Sequence, residues 1–152
     1  MLRVTLATLH LLALPLGLGA VLFRAASLKE PATAQSLRRA LRADTDWGVA
    51  AALWIATGLW RYLGSIEKTT AYYNGNHAFL AKMGVLVLIL LLEIWPMVTL
   101  IRWRIAFGRG GSVEDVAVPA TAHRIALISN VQALLVVVMV VLATMMARGI
   151  QG

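Results

Sequence analysis

AKMGVLVLILLLEIWPMVTLIRWR, residues 81–104, is an apolar run of helix length with one lysine near its start and one glutamate in its middle. A charge in hydrocarbon costs at least about 2.5 kcal/mol on insertion scales, so Lys82 and Glu93 each need a partner or a function. At ~100° per residue the step from 82 to 93 leaves them ~20° apart around the helix axis. At ~1.5 Å rise they are about 16 Å apart along it. They share a face and cannot pair with each other. Each therefore has to meet another helix, at two different levels of a bundle.

The remainder of the chain supplies such helices. Its 152 residues are 60% hydrophobic and 14% charged, with a mean hydropathy of +0.78. That composition excludes a soluble domain and predicts one all-α integral membrane domain, a transmembrane four-helix bundle in a lipid bilayer. The absence of cysteine excludes disulfides, thiolate metal sites and CxxCH haem attachment. Basic residues, which give a formal charge of +7, fall mainly between the apolar runs. Membrane topology accounts for them, and nucleic-acid binding is not expected.

Spans are expected near 4–26, 47–63, 78–101 and 122–147. The first is too long, and too polar at His10 and Arg24, to read as a cleaved signal peptide. Nine Lys and Arg residues, Arg24 among them, fall on the side of the connections 24–42 and 102–124, and four on the other. The nine-residue side should be cytoplasmic, with both termini on the periplasmic side of a bacterial inner membrane.

The connections carry their own signals. Residues 33–43 set Leu37 and Leu41 against Arg38, Arg39 and Arg42, the pattern of a short basic helix on an anionic leaflet. Asp44, Thr45 and Asp46 then suit the cap of the second span. Within that span Gly48, Ala52 and Ala56 form a small-residue strip, suited to a homo-oligomer or to a partner helix of a membrane complex. Trp47 and Trp103 read as an inner aromatic belt and Trp60 and Tyr62 as an outer one, with Tyr72 and Tyr73 at headgroup level. Asn74-Gly75 signals a turn, Gly108, Gly110 and Gly111 end the third helix, and Ser112-Val-Glu-Asp115 has capping-box spacing.

His10 and Lys82 are expected at similar depth in the outer half. Leu14, Gly17 and Val21 share the His10 face, and Gly17 would leave room for a flat ligand beside the imidazole. Two nitrogen bases facing a bundle core suit axial ligation of a haem, with Lys82 either a second ligand or a cation holding a carboxylate. Taken singly, each has a blander reading as a packing residue. His77 and His123 sit at the boundaries and read as solvated, and Met145-Met146 reads as lipid packing. Glu93 is expected level with Asn130, Gln132 and Arg124, either as a helix-locking cluster or as a proton-carrying acid. Trp95-Pro96 should bend the third helix. No phosphate loop, GxSxG or HExxH is present.

Leu9-His10-Leu-Leu-Ala, Trp60-Arg61, Glu67-Lys68-Thr-Thr-Ala-Tyr-Tyr73, Phe79-Leu-Ala-Lys82-Met-Gly84, Pro96, Arg102-Trp-Arg104 and Met146-Ala-Arg-Gly149 together resemble a bacterial four-span family of unknown function. More remotely the chain is similar to the HemJ-type protoporphyrinogen oxidases. That resemblance implies bound haem b, with His10 and Lys82 in the family's functional positions and Arg124 as the arginine opening the last helix. Glu67–Tyr73 and the Trp-Pro pair have no counterpart there. The implied function is a haem-b redox protein of the inner membrane. His10 would be the metal ligand, Lys82 and Glu93 the catalytic groups, Arg61 a propionate partner, and a quinone or another respiratory carrier the electron acceptor. An accessory subunit without catalysis is the rival expectation. Transport comes third, since no inverted repeat is visible.

Overall fold

The computed structural model describes residues 1–64 and 75–148, and all of its regular structure is helical. The helices are α1 (Leu2–Lys29), α2 (Ala34–Leu63), α3 (His77–Gly108), the single turn α4 (Val113–Val116) and α5 (Pro119–Ala147). α1, α3 and α5 are long and apolar enough to cross a membrane. α2 is as long, at 30 residues, but its first half is charged. The long helices touch in the order α2–α1–α5–α3, and α2 and α3 make few contacts.

Exposure identifies the surrounding medium. Leu91 is 60% exposed and Leu134 is 64% exposed, and similar residues line the outer faces of α1, α3 and α5. Helices apolar all round, with their leucines outward, are stable only where the solvent is hydrocarbon. Inward stripes follow helical spacing: Ile89, Pro96, Leu100 and Trp103 on α3, and Ile125, Ser129, Gln132, Val136 and Met139 on α5. α3 runs helical through Pro96, whose ring is buried.

Several local expectations change. Residues 33–43 and the second span form one uninterrupted helix, and no surface helix lies apart from it. Its N-cap is Thr33: Thr33 Oγ1 accepts from Ser36 N–H at 3.1 Å, and Ser36 Oγ accepts from Thr33 N–H at 2.9 Å. Leu37 and Leu41 do not face a leaflet. They pack with Leu100, Trp103 and Ile125 in the core. Trp47 and Trp103 are likewise core residues, 4% and 7% exposed, whereas Trp60 is 57% exposed. At all four inner positions, residues placed by polarity at a membrane surface gain more from packing against a neighbouring helix.

Other expectations match. α3 ends in a turn needing positive φ at Gly110 (88°), and Ser112 Oγ accepts from Asp115 N–H at 3.2 Å to cap α4. Tyr72, Tyr73, Asn74 and the stretch Glu67–Tyr73 lie outside the described residues.

Candidate functional site

Polar side chains collect inside the helices at two levels. The deeper level is centred on Arg24, which is fully buried. Its guanidinium has five N–H groups, and each has an acceptor. Nε donates to Ser129 Oγ at 3.0 Å. Nη1 donates to Asp44 Oδ1 at 2.9 Å and to Glu93 Oε1 at 2.7 Å. Nη2 donates to Glu93 Oε2 at 2.9 Å and to Gln132 Oε1 at 2.8 Å. Gln132 Nε2 in turn donates to Glu93 Oε2 at 2.7 Å, and Ser129 donates to the Ile125 carbonyl at 2.8 Å. One cation thus ties α1, α2, α3 and α5 together, and the bidentate Arg24–Glu93 pair fixes orientation as well as distance. Two carboxylates surround it, and the excess charge is met by Arg104, 3.8 Å from Asp44 Oδ2. Arg104 also donates to the Leu41 carbonyl and to Thr45 Oγ1.

This differs from the expectation for Glu93 in its partners. Gln132 is there, but Arg124 is exposed and Asn130 lies off the buried stripe. The residues missed are Arg24, counted above as a loop cation, and Asp44, read as a helix cap. For Arg24 a signal was present, since the series 10, 14, 17, 21 on α1 continues to 24 at the same helical spacing; for Asp44 there was none.

The second level is a cavity of about 340 Å³ at the other end of the helices. α1 contributes His10; α2 contributes Trp54, Gly58 and Arg61; α3 contributes Phe79, Lys82 and Met83; α5 contributes Met139 and Met146. The cavity lies where α2 and α3 make few contacts. Its walls are mostly apolar, and among the described residues lining it none is acidic. His10 Nδ1 is 2.9 Å from Thr57 Oγ1. The single hydroxyl proton of Thr57 is directed to the Leu53 carbonyl, 2.6 Å away. Toward His10 that oxygen therefore accepts and Nδ1 donates. Trp54 leans against the imidazole with ring centroids 5.9 Å apart, and Tyr62 stacks on Phe79 at 5.6 Å.

His10, Lys82 and Arg61 thus line one cavity. Gly17 is not among its lining residues. A Cβ there would meet Trp47 Cζ3 at 3.3 Å and Ala50 Cβ at 3.4 Å, so the space beside Gly17 is filled by α2 and holds no flat ligand. The glycine that gives the imidazole room is Gly58, where a Cβ would meet His10 Cε1 at 3.1 Å. Met146, read above as lipid packing, lines the cavity. His77 and His123 are exposed, and the described residues contain no cluster of three or more metal-ligating His, Asp or Glu side chains.

With helices, buried ion network and apolar outer faces in place, comparison with known families gives one match, covering residues 2–151. The chain belongs to the predicted membrane protein family DUF2214. A bilayer is therefore its environment. No curated protein and no solved structure matches the chain.

Proposed function

We propose that this chain is a haem-b-binding redox protein of the bacterial inner membrane, related at a distance to the HemJ-type protoporphyrinogen oxidases. The observation that carries the reading is the meeting of His10, Lys82 and Arg61, from three helices, on one apolar-walled cavity. The donor set suits haem b in kind. A neutral imidazole with its lone pair on Nε2 is the usual protein ligand, and a second hydrogen bond from Nδ1 is the usual way its tautomer is held. Lys82 and Arg61 supply positive charge for propionates, and Met83, Met139 and Trp54 supply soft apolar walls. At about 340 Å³ the void is at the small end for a ligand pocket. A larger ligand would extend into the gap where α2 and α3 make few contacts.

The bound group would supply one-electron chemistry. The chain's own part is to hold the imidazole through Thr57, to place cationic side chains beside acidic substituents, and to keep water out with its apolar walls. Electrons taken from a porphyrinogen-like or other reduced substrate would leave to a quinone or another respiratory carrier. In this reading α2 also crosses the bilayer, which makes four spans, with both termini periplasmic. Removing buried Arg24 from the charge count leaves eight basic residues against four and keeps the orientation. Glu93, held by Arg24 and Gln132, serves here as a helix tie more naturally than as a proton carrier.

Protein purified from haem-replete cells is expected to show a Soret band. His10→Ala abolishes it and His123→Ala retains it. Colourless wild-type protein sinks the reading. One observation favours the accessory-subunit alternative: Gly48, Ala52 and Ala56 all face outward on α2, where a partner helix or second copy could sit. Colourless protein that co-purifies with a larger membrane complex is the result expected from that alternative.

A further inference from the structure

A second cavity, of about 590 Å³, lies at the opposite end of the helices from His10. Along α1 the two sites are separated by about 28 Å, so they are independent. The end of α1, the turn into α2 and the α4–α5 connection enclose it, and its lining includes Ser27, Lys29, Glu30, Pro119 and His123.

Two observations of different kind meet here. The first is a helix N-terminus left without a cap. α5 opens with Val118 in the N-cap place and Pro119 behind it, and no side chain accepts from its first turn. Pro119 has no N–H, and the Thr121 and Ala122 N–H groups already donate to the Val118 carbonyl at 3.0 Å, which leaves the Ala120 N–H and the positive end of a long helix dipole to favour an anion at that point. The second is Ser27. It is 2% exposed, lines the same cavity, and its hydroxyl is a buried oxygen with no hydrogen-bond partner. A hydroxyl kept dry without a partner costs about 1–3 kcal/mol, which an arriving acceptor would relieve.

The charges around the cavity agree with this. Lys29 and His123 are exposed at its rim, and the one carboxylate in the lining, Glu30, is 3.4 Å from Arg39 Nη1. An anion entering there meets the Lys29 ammonium, the His123 ring and a carboxylate already engaged.

We propose that this cavity is a binding site for a phosphate group, carried by an anionic lipid or by a free phosphorylated compound. Ser27 and the Ala120 N–H donate to its oxygens, Lys29 balances its charge, and the His123 ring borders it.

The test uses the full-length protein in detergent, titrated with short-chain phosphatidic acid, phosphatidylcholine of the same chain length, and inorganic phosphate, with binding read by thermophoresis. Phosphatidic acid is expected to bind saturably and at least about ten-fold more tightly than phosphatidylcholine. The double variant Lys29→Gln/His123→Gln weakens that binding by about five-fold or more. Ser27→Ala, which leaves the surface charges in place, weakens it by about three-fold. Arg3→Gln removes one positive charge from the other end of α1, as Lys29→Gln does at this end, and leaves the binding unchanged. If inorganic phosphate displaces the lipid, free phosphorylated compounds are the ligand class; if only the lipid binds, its headgroup is. Equal affinity for phosphatidylcholine, or wild-type affinity in both the double variant and Ser27→Ala, overturns the proposal. Both changes at the rim are at exposed positions, so loss of folding does not confuse the result.

Discussion

At one level of this molecule a buried guanidinium has an acceptor for every N–H group; at the other a half-buried ammonium lines a cavity with no ion pair among the described residues. Both cations lie in apolar helices and carry the same charge. Their surroundings differ in burial and, most of all, in the presence of carboxylates. Arg24 is enclosed by Asp44 and Glu93, whereas no described residue lining the cavity at Lys82 is acidic. A closed network of that kind spends its polar groups on holding helices together, and the function proposed above assigns Lys82 to a bound group instead.

The contrast is most easily broken at Arg24. Arg24→Met leaves Glu93 and Asp44 in place without their cation, and stripping one partner from a buried pair costs about 3–5 kcal/mol. The expected outcome is a large fall in Tm, or no folded protein in membranes. A variant as stable as wild type would show that the network does not tie the helices. Arg24→Lys should recover only part of the loss, because an ammonium cannot donate to five acceptors on three other helices.

Asp44→Asn tests the edge of the same network. The carboxylate is 10% exposed and has Arg104 within 3.8 Å, so the loss should be nearer 1.5–3 kcal/mol, about the value of a hydrogen bond to a charged group. A fall in Tm smaller than that of Arg24→Met is the expected ordering. The reverse ordering would move the centre of the network from α1 to α2.

A pair of glycines sharpens the other half of the comparison. Gly58→Ala places a methyl 3.1 Å from the His10 ring and, on the function proposed above, should shift the absorption of the haem or lower its occupancy. Gly17→Ala presses on Trp47 and Ala50, costs about 1–3 kcal/mol in overpacking, and should leave that absorption alone. A spectrum sensitive to Gly17 and indifferent to Gly58 would contradict the geometry described here.

The smallest effect on stability is expected at Lys82. Lys82→Met removes a cation that has no ion pair among the described residues, so the Tm of the protein without ligand should hold or rise slightly, by at most about 1 kcal/mol of added stability. Ligand binding should fall. The same substitution at Arg24 and at Lys82 is therefore predicted to act in opposite directions, and equal destabilisation would erase the distinction between the two levels.

Much of this was legible beforehand. Long apolar runs with the spacing of Lys82, Glu93 and His10 determined an all-helical membrane chain with polar groups at two levels, because helical periodicity and the cost of charge in hydrocarbon need no tertiary information. The end of α3 and the cap of α4 follow equally from local chemistry at Gly110 and Ser112. Partner choice did not. Arg24 and Asp44 sit next to runs of surface-type residues, and a charge near a helix end looks the same in sequence whether it meets water or a buried carboxylate. Trp47 and Gly17 were misread for the same reason, since only the approach of α2 to α1 decides whether the space over a glycine holds a ligand or an indole. One-dimensional spacing determines which face of a helix a residue occupies. The packing of the other helices decides what that face touches, since burial and pairing energies belong to contacts between residues far apart in the chain.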